Sequence, residues 1–173
     1  MKYYAGIGSR STSSEVLQLF EDVGVYLAKK GYVLRSGAAQ GADRAFERGC
    51  DSANGQKEIY LPWTGFEGST STLIVKDKKA FKIAEQFHPY WQNLKQGARK
   101  LQARNSHQIL GCDLETPSSF IICWTKNGSG KGGTGQAIRI ANYYNIPVLD
   151  AGKWKDIEEV KKNLKMFLKE NVV

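Results

Sequence analysis

The chain has 173 residues, a hydrophobic fraction of 41%, a charged fraction of 24% and a formal net charge of +8. That length can bury a core without disulfide or metal staples, and no apolar run approaches the ~20 residues of a membrane-spanning helix. Three widely spaced cysteines (Cys50, Cys112, Cys123) and two histidines (His88, His107) have neither metal-ligand spacing nor the even count of a disulfide framework. The expectation is one reduced, cytoplasmic domain spanning 1–173, with no leader pattern ahead of Met1-Lys2-Tyr3-Tyr4, no membrane association and no metal.

Tyr3 to Ile7 reads as a short buried strand, and Gly6-Ile7-Gly8-Ser9-Arg10 turns it toward a helix. Val16, Leu19, Phe20, Val23 and Leu27 recur at helical spacing over Glu15 to Lys30, and Gly31 stops the run. Tyr32 to Leu34 is a second strand. A second turn follows it, Ser36-Gly37-Ala38-Ala39-Gln40-Gly41-Ala42-Asp43, opening a helix from Ala42 to Cys50. Glu58 to Leu61 is a third strand, closed by Pro62. This order of strand and helix predicts a parallel sheet with right-handed crossovers. Trp63 to Ser71 reads as a loop, Lys78 to Phe87 as a helix broken by Pro89, and Trp91 to Leu110 as another, ending at Gly111. Phe120 to Trp124 is a strongly β-prone strand. A third glycine turn, Gly128 to Gln136, leads into a helix from Gly135 to Tyr144. Ile146 to Leu149 is the last strand, and the final helix begins near Lys155. The predicted fold class is α/β: a Rossmann-like open, mainly parallel sheet flanked by helices on both faces.

Each glycine turn follows a strand, so all three open on one rim, where ligands bind in open α/β sheets. Glycine permits close backbone approach, and free N–H groups at a helix start favour an anion. The first and third turns depart from the standard sequences. Arg10 stands near where a dinucleotide fingerprint would place a third glycine, and Lys131 is followed by Gly132 where a P-loop needs Ser or Thr.

Gly8-Ser9-Arg10, Ser36 to Asp43 and Gly132-Gly133-Thr134-Gly135 together resemble the SLOG superfamily. That Rossmann-like group includes the DNA-processing protein DprA, the LOG phosphoribohydrolases and nucleotide-sensing domains of bacterial defence. The segments Arg104-Asn105, Gln108-Ile109-Leu110-Gly111 and Cys123-Trp124-Thr125 are similar to those of short DprA-like proteins carried by phages. The resemblance spans about residues 2 to 150. It implies a ligand site made of Gly8, Ser9, Arg10, Ser36, Gly37, Ala38, Gln40, Gly41, Asp43, Arg104, Asn105, Trp124, Thr125, Gly132, Gly133, Thr134 and Gln136, with no cofactor and a homo-oligomeric assembly. The hydroxyls of Ser9, Ser36 and Thr134 suit phosphate. Arg10 suits a bidentate phosphate contact or an ion pair with Asp43, and Asp43 suits a ribose hydroxyl or helix capping. Trp124 suits base stacking or core packing.

LOG enzymes carry acids just after the Gly-Gly-x-Gly-Thr run, where this chain has Ile138 and Arg139. The departure favours binding over hydrolysis. The first expectation is therefore a protein that holds a phosphorylated nucleoside or an ADP-ribose-like signalling nucleotide, in a phage setting as a trap for a defence signal. The alternatives are a nucleoside-monophosphate N-glycosidase and DprA-like binding of single-stranded DNA. The last draws on the net charge and on Lys95, Arg99, Lys100 and Arg104, a run without an acid.

Overall fold

The computed structural model describes residues 1–173. Six strands, β1 (Lys2–Gly6), β2 (Tyr32–Ser36), β3 (Lys57–Leu61), β4 (Leu73–Ile74), β5 (Ile121–Cys123) and β6 (Val148–Asp150), form one sheet in the order β4-β3-β2-β1-β5-β6. Every neighbouring pair is parallel. The chain thus steps outward from β1 to β4, then jumps back to place β5 on the other side of β1. The switch in direction falls between β1 and β5.

The helices are α1 (Ser14–Lys29), α2 (Ala42–Ser52), α3 (Lys78–Phe87), α4 (Gln96–Leu110), α5 (Gly133–Tyr143) and α6 (Ile157–Asn171). Right-handed crossovers in opposite directions put α1 and α2 on one face and α5 on the other. Strand alternation divides the core accordingly. Tyr4, Leu34, Phe120 and Ile122 join Phe20 and Phe46 on the first face, which α6 also covers through Val160 and Leu164. Ala5, Ile7, Ile121 and Cys123 join Ala103, Ile109, Ala137 and Ile140 on the second. The Rossmann-like fold expected from the sequence is the fold observed.

Two local expectations change. The segment after β3 is not a bare loop: it holds a 3-10 turn (Phe66–Gly68) and leads into β4, a two-residue strand paired with Tyr60 and Leu61. A strand that short has no periodicity to read. The long helix expected from Trp91 begins as a separate 3-10 turn (Trp91–Asn93), and α4 starts only at Gln96. Arg99 secures the break by donating Nη2 to the Trp91 carbonyl at 3.1 Å, with its guanidinium over the indole.

No helix is long and apolar enough to cross a membrane.

Candidate functional site

A cavity of about 740 Å³ opens at the carboxyl ends of β1 and β5, at the switch in strand order. Its walls come from the segment after β1 (Ile7 to Ser11), from Thr125 to Thr134 after β5, and from α4 through Leu101, Gln102, Arg104, Asn105 and Gln108. Ala39, Asp43 and Phe66 complete it. Of these lining residues only Ile7, Ala39, Phe66 and Leu101 are hydrophobic. Four cationic side chains, Arg10, Arg104, Lys126 and Lys131, face one carboxylate, Asp43. The electrostatic preference is for an anion.

The first two glycine turns are packed against each other. A Cβ on Gly41 would lie 2.6 Å from the Ser9 carbonyl oxygen, and one on Gly8 would lie 2.7 Å from the Ala42 methyl. Gly41 also has φ +92°, where a side chain is strained. These glycines serve loop-against-loop packing. In the third turn the space is different: nothing lies within 4 Å of a Cβ on Gly132 or Gly133. Both residues are exposed and begin α5, whose N-terminus has no side-chain cap. The first-turn N–H groups of a helix have no intrahelical partner, so this backbone supplies donors and the positive end of a helix dipole to the cavity.

Asp43 joins the first two turns. One carboxylate oxygen accepts the Gly8 N–H at 3.1 Å and the other the Ala39 N–H at 3.3 Å. Burial pushes its pKa up to about 6, against the pull of Arg104 and those two N–H donors, and Glu47 adds to the rise. Arg104 forms the cavity floor. Its Nη1 donates to the carbonyls of Gly37 at 2.7 Å and Tyr60 at 3.1 Å, and its Nε donates to Asn105 Oδ1 at 2.9 Å. Burial lowers its pKa to about 10, with Asp43 opposing and Arg10 assisting. Asn105 in turn donates to the Gly133 carbonyl at 3.0 Å, fixing α4 to the start of α5. Asp150, at the end of β6, organises the third turn. It accepts the N–H groups of Thr125 at 2.9 Å and Gly152 at 3.0 Å together with the Thr125 hydroxyl, whose oxygen accepts the Gly130 N–H at 2.9 Å.

Of the residues named from sequence, Gly8, Ser9, Arg10, Asp43, Arg104, Asn105, Thr125, Gly132, Gly133 and Thr134 line the cavity. The others stand behind it. The Ser36 hydroxyl donates to the Gly6 carbonyl at 2.6 Å, Gly37 is buried against Arg104 and Gln108, and Ala38 is buried in the core. Gln40 is exposed on the outside of its turn, Gly41 packs on Ser9, and Trp124 packs against the core. Gln136 is buried and donates to the Ala84 carbonyl at 2.9 Å. Arg10 pairs with Glu67, not with Asp43. Lys126, Asn127, Ser129 and Lys131 were missing from the sequence-derived set, although Ser129 and Lys131 lie within the third turn. The basic run from Lys95 is not one surface: Arg104 is buried and Arg99 half-buried on Trp91, while Lys95 is exposed.

Arg139 and Ile138 lie outside the cavity wall. Arg139 donates Nε to the Phe87 carbonyl at 2.8 Å and Nη2 to Gln136 Oε1 at 2.9 Å, bracing α5 against the end of α3.

No family model matches the chain, and no curated protein matches it. Among solved structures it is similar to DNA processing protein A from Helicobacter pylori, a protein described for its single-stranded DNA binding mode. The superposition has a TM-score of 0.60 over 98% of this chain and 81% of the other, at 19% sequence identity. At that identity the likeness concerns the fold: this chain has a DprA-like Rossmann architecture.

Proposed function

We propose that this protein binds single-stranded nucleic acid, seating one nucleotide unit with its phosphate at the cavity between β1 and β5. The observation that carries the reading is the uncapped start of α5. Gly132 and Gly133 lie open there, with Arg10, Arg104, Lys126 and Lys131 around them. N–H donors and cations converging on one open cavity suit a phosphate diester. The net charge of +8 supplies long-range attraction to a polyanion. The DprA-like fold, shared with a protein that binds single-stranded DNA, ranks this reading above capture of a free signalling nucleotide.

The test is fluorescence anisotropy with a labelled thymidylate strand over a series of salt concentrations. Binding should weaken as salt rises. Lys131→Ala should flatten the log–log slope by about 0.7, the increment for one single-strand phosphate contact. Arg10→Ala should cost about 1.5–3 kcal/mol, the range for a hydrogen bond to a charged group. No binding at low salt, or full affinity in Arg10→Ala, would overturn the reading. A nucleoside monophosphate that binds as tightly as the strand would favour the free-nucleotide alternative.

A further inference from the structure

We propose that Trp63 is a stacking platform for the nucleobase that follows the unit held in the cavity. The inference rests on the single-strand reading and assigns it a second subsite. Trp63 comes just after β3, on the same carboxyl rim as the cavity, and is 41% exposed. The other three tryptophans are covered: Trp91 is buried, and Trp124 and Trp154 pack against the core.

Its support is specific. The indole meets the Phe66 ring edge-on at 5.5 Å and 83°. Phe66 is itself buried, lies over the Arg104 guanidinium at 5.4 Å and forms part of the cavity wall. One residue therefore separates the exposed indole from the cavity. The first turn of α4 also comes near: a Cβ added to Gly97 would stand 3.9 Å from the indole. Buried Pro62 precedes Trp63, and exposed Thr64 and Gly65 follow it. The ring is thus braced by Phe66 and still 41% exposed to solvent. A large aromatic braced in this way, beside a cationic cavity, presents the π-surface that single-strand binders use for bases of any sequence. Arg10 pairs with Glu67, the residue after Phe66, so the segment bearing Trp63 is also tied to the first glycine turn.

The experiment compares thymidine monophosphate with a hexathymidylate strand by titration calorimetry, using the full chain and its Trp63→Ala and Trp63→Phe variants. The expected result is about a tenfold loss of hexathymidylate affinity in Trp63→Ala, from loss of one stacked base. Trp63→Phe should recover most of it, and monophosphate affinity should be the same in all three proteins. Indole emission should also be quenched when the strand binds the wild type, and not in Trp63→Phe. Wild-type affinity for the strand in Trp63→Ala would overturn the subsite while leaving the cavity reading intact. So would an equal loss for monophosphate and strand, since that marks damage to the cavity wall. A wild-type protein that binds neither ligand would remove the cavity reading and the subsite with it.

Discussion

Asp43 combines two roles that conflict. It ties the first two glycine turns together through the Gly8 and Ala39 N–H groups, and it places an acid on the wall of a cavity suited to anions. Its pKa of about 6 means that the carboxyl is neutral below that pH and ionised above it. An ionised Asp43 repels a bound phosphate; a neutral one does not. Affinity for a phosphodiester strand, whose own charge is constant, should therefore rise as pH falls from 8 to 5, with most of the change near 6. Anisotropy titrations across that range check this, and Asp43→Asn should flatten the profile. Stability follows the same sign. The folded pKa is raised from the ordinary 3.8, so the contribution of Asp43 is fully present below about pH 4 and is lost as pH rises through about 6. Arg104 and Glu47 act on this group from α4 and α2, in opposite directions.

Among the elements, α4 departs furthest from an ordinary amphipathic helix. Its last eight residues, Ala103 to Leu110, are all buried, and five of them are polar or charged. The polar ones connect layers: Arg104 reaches the Gly37 carbonyl just past β2 and the Tyr60 carbonyl on β3, Asn105 reaches α5, and Ser106 donates to the Ala80 carbonyl on α3 at 3.3 Å. Removing the Arg104 guanidinium leaves two carbonyls without their donor and Asp43 without its nearest opposing charge. Arg104→Ala should thus lower unfolding stability by at least about 1.5–3 kcal/mol, the range for a hydrogen bond to a charged group. Urea denaturation followed by circular dichroism measures it. Arg104→Lys should recover only part, because an ammonium cannot reproduce the fork that holds Gly37, Tyr60 and Asn105 together. In the sequence Arg104 stands out only as a member of the ligand set implied by the resemblance and as the end of the basic run from Lys95. Its carbonyl partners come from the turn after β2 and from β3, far away in the chain.

Across the whole molecule, the sheet separates two apolar layers, and Phe46 is central to the first. Its ring stacks on Phe20 at 4.4 Å and meets Tyr4 at 6.2 Å. It also packs so closely on β1 that a Cβ on Gly6 would lie 2.5 Å from it. Gly6 thus allows α2 to sit directly on the strand that feeds the cavity. Phe46→Ala should cost about 3–5 kcal/mol, the range for deleting a buried aromatic, read as a lower urea midpoint. Its effect on ligand affinity should be small below the transition, because the layer lies beneath the site and not on it.

Local pattern determined much of this architecture. Alternation and β-branching marked five of the six strands, helical spacing and terminal glycines marked the helices, and each glycine turn fell at a strand end. These features depend on neighbours within one turn or one pleat, so they are written in consecutive residues. Tertiary structure decided the rest. β4 exists through its hydrogen bonds to β3. Gly8 and Gly41 meet because α2 docks behind β1, whereas Gly132 and Gly133 remain open because nothing packs in front of α5. Arg10 takes Glu67 as its partner instead of Asp43, and Trp63 reaches the rim through Phe66. Such pairings depend on distance in space between residues remote in the chain, a quantity that one sequence does not contain.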